Sequence, residues 1–181
     1  MKSLNGAELK KLIQGCTDNN RKAQKTLYER YFGTMMSISL RYCANWDESM
    51  EVVNSGFLKI FLKIKSYTGK GSFEGWMKRI IINTALDYLK SLKPYSEEIE
   101  DKNTFDNDYY IENTALDNFS VEDILKQVQT LPPMTRAVFN LYIMEGFKHK
   151  DIAAKLGISE GTSHWHLQNA RKLLQEKINR F

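Results

Sequence analysis

Apolar residues recur along this chain at intervals of three and four, without any sustained alternation, and that spacing predicts helices throughout. Leu9, Leu12 and Ile13 share one side of a short helix over 6–16. Ala23, Leu27, Tyr31, Met35 and Ile38 predict a longer one from Arg21 to Cys43. Asn45 or Asp47 caps a third helix, Asn45 with Glu48 fitting a capping box, and Val52, Val53, Phe57, Ile60, Phe61 and Ile64 carry it to about Ser66. Residues 67–72 (YTGKGS) read as a glycine-bearing loop. Ser72 then caps a fourth helix to about Leu92, built on Phe73, Met77, Ile80, Ile81 and Leu86. Pro94 closes this first domain, residues 1–93.

Residues 94–119 break the pattern. They are rich in Asp, Glu and Asn, with Tyr95, Phe105, Tyr109 and Tyr110 scattered among them, and read as an extended, mobile linker. Ser120 to Asp123 is a capping box that opens a second domain, 120–181. A helix runs to about Thr130, Pro132-Pro133 breaks it, and Pro133 suits the first turn of the next, which reaches Glu145 and stops at Gly146. The stretch from Lys148 to Lys172 then reads as two helices around a tight turn. Ile152, Ala153 and Leu156 face one way, and Gly157 can take the positive φ that ends a helix. Ile158 plugs the corner, Ser159 is an N-cap, and Leu167, Ala170, Leu174 and Ile178 form the next buried stripe. This is a helix-turn-helix, whose second helix enters the major groove of DNA. The expected fold is all-α: two small helical domains joined by an acidic flexible linker, the second ending in the helix-turn-helix.

Composition narrows the function. The chain of 181 residues is 42% hydrophobic and 27% charged, with no apolar run near the length of a membrane span. Its N-terminus has lysines but no apolar core, so it does not read as a secretion signal. Cys16 and Cys43 are far apart and form no CxxC, which predicts reduced thiols in a cytoplasm. His149, His164 and His166 make no metal set, and no catalytic arrangement stands out, so neither a metal nor a cofactor is expected. Gly69-Lys70-Gly71-Ser72 lacks the glycine spacing and preceding strand of a phosphate loop, which argues against a nucleotide-hydrolysing enzyme. Net charge is +8 over 1–93, −9 over 94–123 and +5 over 124–181. Two basic blocks suited to a polyanion thus flank one acidic strip.

This layout resembles the extracytoplasmic-function (ECF) sigma factors of bacterial RNA polymerase. In the second domain the likeness is carried by Leu131-Pro132-Pro133, Arg136 to Phe139, Glu145-Gly146, Asp151 to Ala153, Gly157 to Thr162 and Ala170-Arg171. In the first it is carried by Glu51 to Asn54, Phe57, Phe73, Trp76, Arg79-Ile80, Asn83 and Asp87. The resemblance implies a protein that binds bacterial core RNA polymerase, places it on a promoter and helps melt the DNA. It implies no covalent chemistry, no direct membrane insertion, a cytoplasmic setting and an anti-sigma factor as a candidate further partner.

Three residue sets follow. A wheel centred on Leu167 puts Gly161, Trp165, Gln168, Asn169 and Lys172 outward, with His164 and Arg171 at the margin; with Thr162 these are the candidates for duplex −35 DNA. Gln and Asn can pair with adenine, Trp165 can cover a thymine methyl, and Arg171 and Lys172 suit phosphates. The family usually has Lys, Ser and Arg at His164, Trp165 and His166, so the −35 sequence cannot be borrowed from relatives. For melted −10 DNA, aromatic faces and positive charge around the fourth helix suit unstacked bases; the candidates are Lys70, Phe73, Trp76, Arg79 and Lys90, with the polar Ser72, Asn83 and Asp87. The resemblance places a pocket for an extruded base at Lys70, Ser72, Phe73, Asn83 and Asp87. It places the grip on core polymerase at Asp47, Glu48, Glu51, Val52, Asn54 and Phe57, although Ser55-Gly56 departs from the acid usual there. In the family the acidic linker threads basic channels of the polymerase. The alternative is a stand-alone helix-turn-helix regulator that binds duplex DNA without polymerase; residues 1–93 offer it no effector or receiver domain.

Overall fold

The computed structural model describes residues 5–92 and 121–178, so the linker and the Ser120 cap lie outside the described residues. Among those described there are eight α-helices and no strand, as the apolar spacing predicts. The chain divides into two compact units, Met1–Tyr88 and Leu89–Phe181.

In the first unit, capping residues set where the helices begin. The Asn5 side chain accepts from the Glu8 N–H at 2.8 Å and the Glu8 carboxylate accepts from the Asn5 N–H at 3.0 Å, starting α1 (Gly6–Thr17). Asn20 accepts from the N–H groups of Lys22 and Ala23 and starts α2 (Arg21–Ser39). Asn45 starts α3 (Trp46–Lys63) by accepting from the Glu48 N–H at 2.9 Å. The return bond of that box is displaced by one residue: the Glu48 carboxylate accepts from the Ala44 N–H at 2.9 Å. The fourth helix is α4 (Phe73–Ser91).

The core of this unit is drawn mostly from the predicted stripes, with Ala85 added and Ala23, Tyr31, Phe61 and Ile80 only half-buried. Leu27, Met35 and Ile38 of α2, Val52, Val53, Phe57 and Ile60 of α3, and Phe73, Met77, Ile81, Ala85 and Leu86 of α4 are buried. Small residues let the helices close on one another. A Cβ at Gly15 would sit 2.7 Å from the Ala23 Cβ, and one at Gly56 would run into the Ile81 side chain. Close packing against α4 therefore gives Gly56 a structural reason to interrupt the acid pattern of α3. The helix expected to reach Cys43 ends at Ser39. Leu40 to Cys43 turn under it, burying Tyr42 and Cys43 completely, while the Ser39 hydroxyl donates to the Ser49 carbonyl at 3.2 Å. Burial pushes the Cys16 thiol up to about 11, so it is a poor nucleophile at neutral pH.

The second unit contains α5 (Val121–Gln129), α6 (Pro133–Phe139), α7 (His149–Leu156) and α8 (Glu160–Ile178). Val128, Leu131 and Ala170 form a core cluster with Phe139, Leu173 and Leu174 against it. Arg136 is 2% exposed and donates to the Gln129 carbonyl at 2.6 Å, tying α6 to the end of α5. The helix expected over 133–145 changes character halfway. From Asn140 to Met144 it widens, and the Glu145 N–H reaches the Asn140 carbonyl at 3.1 Å. The buried Asn140 amide donates to the Arg136 carbonyl at 2.9 Å, and such side-chain competition loosens the regular ladder.

Gly157 turns the chain between α7 and α8 at φ 71°, with its N–H on the Ala153 carbonyl at 2.9 Å. No atom lies within 4 Å of where a Cβ would be, so an alanine there meets only the conformational penalty. Gly157→Ala should lower the stability of this unit by about 1–2 kcal/mol. Urea melts of the full chain read this directly, and an unchanged midpoint for this unit would contradict the left-handed turn.

Candidate nucleic-acid interface

The helix α8 is fastened at its start and on both flanks. Ser159 accepts from the Thr162 N–H at 2.9 Å and shares a 2.8 Å hydrogen bond with the Thr162 hydroxyl. Thr162 is therefore half-buried and occupied by the cap. Two buried imidazoles clamp the helix from either side. His149 Nδ1 lies 2.9 Å from the hydroxyl of buried Ser163, joining α7 to α8. His166 Nδ1 lies 2.9 Å from the hydroxyl of buried Thr135, joining α6 to α8. His166, one of the three positions departing from the family pattern, is thus an internal residue.

What remains outward is a coherent strip. Gly161, His164, Trp165, Gln168, Arg171 and Lys172 are exposed, and Asn169 is half-buried. Trp165 is 38% exposed and stands edge-on to His166, ring centroids 4.9 Å apart and planes at 73°. The wheel centred on Leu167 holds for α8 except that Asn169 is half-buried, while the two residues placed at its margin, His164 and Arg171, are exposed. It offers two amides, one aromatic face and two cations on a helix held at both flanks.

The composition of the strip did not reveal a ring stack at its edge. Tyr142, His149 and His164 stack in order, with centroid separations of 4.6 Å and 3.6 Å. Tyr142 lies in the widened turn, where sequence periodicity carries no angular information, so the stack could not have been read from spacing. Burial, then the adjacent His164, hold His149 below the usual histidine range; Arg171 acts in the same direction and Glu160 opposes it. A histidine whose pKa falls on folding contributes its full stability above the unfolded value of about 6.5 and loses it as pH falls toward the folded value. The second unit should therefore weaken on acidification below about pH 6.5. Melts of the full chain at a series of pH values check this, with His149→Phe flattening the dependence; an equally steep loss in that variant would contradict it.

In the first unit the aromatic residues gather around the start of α4. Tyr67 and Phe73 are 5.0 Å apart, Tyr67 and Trp76 5.6 Å, and Phe73 and Trp76 stack at 5.5 Å. Gly69 and Gly71 both have positive φ, and the Tyr67 hydroxyl donates to the Gly71 carbonyl at 2.8 Å, which shapes the loop. The Ser72 hydroxyl accepts from the Gly75 N–H at 3.0 Å as the helix cap. Phe73 is 2% exposed, so its ring supports the loop from beneath, while Trp76 is half-buried. Lys70, Ser72, Arg79, Asn83, Asp87 and Lys90 are exposed. Asp87 is engaged at 3.1 Å by Lys59 of α3, a constraint that only the packing of α3 on α4 could reveal.

The residues proposed from the family to hold polymerase divide in two. Asp47, Glu51 and Asn54 are exposed along α3, and Asn54 accepts from the Tyr28 hydroxyl at 3.0 Å. Glu48 is half-buried and held in the cap; Val52 and Phe57 are core residues that back this face. Leu58 and Leu62, outside that set, are 60% and 74% exposed on the same helix. Their i, i+4 spacing on a helix whose buried stripe runs through Val53, Phe57, Ile60 and Ile64 was the available signal of that exposure.

A basic two-unit helical protein with a clamped helix-turn-helix belongs to the class of DNA-binding transcription proteins. Comparison with known families specifies it further. Residues 27–94 match the family model for sigma-70 region 2, and residues 121–174 match that for sigma-70, region 4. Together the two models span about two thirds of the chain. An ECF RNA polymerase sigma-E factor of Haemophilus influenzae is 27% identical over 177 residues, covering 92% of this chain and 93% of that one. The factor of the same name from Escherichia coli strain K12 is 25% identical, covering 92% of each. Among solved structures, the sigma factor RpoE of Bartonella quintana in complex with the anti-sigma factor NepR aligns with a TM-score of 0.49 at 20% identity, over 84% of this chain and 94% of that one. The chain belongs to the ECF group of RNA polymerase sigma factors.

Proposed function

We propose that this sigma factor binds bacterial core RNA polymerase, directs it to specific promoters and helps open the DNA, dividing the work among three segments. Residues 1–93 bind core polymerase and melted −10 DNA, 94–119 form the acidic connector, and 120–181 read the duplex at −35. The observation that carries this reading is the outward strip of α8, with Trp165, Gln168 and Lys172 exposed, in the same chain as a region 2 match.

On α8, Gln168 and Asn169 read base edges, Trp165 covers a thymine methyl, and Arg171 and Lys172 meet phosphates. His166 is buried, so His164 is the imidazole left to face DNA. Around α4, Asn83 and Asp87 offer polar contacts to an extruded base. Lys70, Arg79 and Lys90 supply charge, and Trp76 supplies a stacking face over the supporting Phe73. The exposed edge of Asp47, Glu51 and Asn54 is the polymerase contact. The protein makes and breaks no covalent bond; the polymerase does the chemistry. It works in the cytoplasm, and among the described residues no helix is long and apolar enough to cross a membrane. An anti-sigma factor is the candidate regulator. The stand-alone regulator is not favoured, because residues 27–94 match sigma-70 region 2.

Run-off transcription from a random promoter library, with core polymerase and this chain as the sole sigma factor, tests the proposal. Enrichment of templates sharing two spaced elements is expected. Transcription no different from core enzyme alone would overturn it.

A further inference from the structure

We infer that His149 is a positioning residue for promoter reading: its imidazole, wedged between Tyr142 and His164, fixes the His164 ring on the DNA-facing side of the recognition helix. This rests on the sigma-factor reading and deepens it. His149 is the first residue of α7 and lies buried, whereas His164 is exposed near the N-terminus of α8. The N-terminal residues of a recognition helix are those that reach base edges. Tyr142 and His149 are 4.6 Å apart with planes at 27°, and His149 and His164 are 3.6 Å apart at 26°.

His149 cannot swivel freely, because its Nδ1 is tied at 2.9 Å to the Ser163 hydroxyl, one residue before His164. One imidazole is thus anchored to the same helix turn whose next side chain it stacks upon. An exposed histidine ordinarily samples several rotamers and loses that freedom when it binds. A ring already held in place loses less, so the stack converts buried packing into affinity. The chemistry presented is an imidazole N–H aimed at an acceptor on duplex DNA, a phosphate oxygen or a guanine edge.

The test is a double-mutant cycle on holoenzyme reconstituted from the full chain and bacterial core polymerase. Binding is measured to a promoter duplex selected from a random library. His149→Ala and His164→Ala should each weaken binding about tenfold. The double variant should be no more than about twofold weaker than His164→Ala alone, because His149 acts through His164. His149→Phe, which keeps a ring under His164, should bind within about threefold of the unaltered chain and guards against a variant that fails to fold. Costs that add in the double variant, or a His149→Phe loss as large as that of His149→Ala, would overturn the inference while leaving the sigma-factor reading intact. No promoter complex with the unaltered chain would overturn both.

Discussion

Phe73→Ala should lower the stability of the N-terminal unit by about 3–5 kcal/mol, the largest single loss expected in the protein. The ring is buried and meets three aromatic neighbours at once: Tyr31 at 6.3 Å, Tyr67 at 5.0 Å and Trp76 at 5.5 Å. Its removal leaves a cavity where the 67–72 loop meets α4 and takes away the support that sets Trp76. Urea melts followed by aromatic fluorescence give the stability loss. Promoter opening should fall with it, even where enough protein stays folded to bind polymerase. Phe73→Leu keeps apolar volume without the aromatic edge contacts and should retain most of the stability but less opening. If Phe73→Ala melted like the unaltered chain, Phe73 would be a surface residue, contrary to its burial.

Gln168→Ala carries the largest expected effect on specificity. Gln168 is exposed on α8 between Trp165 and Lys172, in the strip held by the His149 and His166 clamps. A paired amide–adenine contact discriminates by about 1–3 kcal/mol. Its loss should relax one −35 position by roughly five- to a hundredfold while the others keep their preferences. Lys172→Ala should behave differently, weakening all promoters alike and making the salt dependence shallower, because phosphate contacts carry no sequence information. Promoter selection from a randomised −35 library, run with each variant holoenzyme, separates the two. A uniform loss for Gln168→Ala would contradict base readout.

Helix identity was legible because every helix has an apolar stripe and, among the described residues, five of the eight also have a side-chain cap; α6 and α7 start at Pro132 and Lys148 without one. Asn45, Ser72 and Ser159 were read as caps and each accepts a backbone N–H; Asn5 and Asn20 do the same and went unread in the sequence. Gly157 was legible for the same reason, since its position after Leu156 leaves a left-handed turn as the way out of α7. Long-range packing left no such local trace. Nothing around Ser39 foretells that Tyr42 and Cys43 fold beneath α2, and nothing around Asn140 foretells the widened turn, which depends on the amide of Asn140 reaching the Arg136 carbonyl.

The site was legible to the same degree. A helical wheel sorts α8 into inner and outer faces because one angle per residue suffices, so the outward strip followed from residue order. It does not say what an inner polar residue touches. His166 was read only as a departure from the family pattern, and the structure shows that it holds Thr135 in the interior. Phe73 and Val52 looked equally able to meet a ligand or a core, and burial decides for the core. The Lys59–Asp87 pair and the Tyr142–His149–His164 stack each join residues far apart in sequence and needed the tertiary structure.

Permanganate footprinting of a library-selected promoter, with core polymerase and with this chain, each alone and then together, tests the central claim most directly. The account predicts reactive, unpaired thymines around −10 only in the combined sample, diminished by Asn83→Ala. A duplex bound tightly by the chain alone and left fully paired in the presence of polymerase would contradict it.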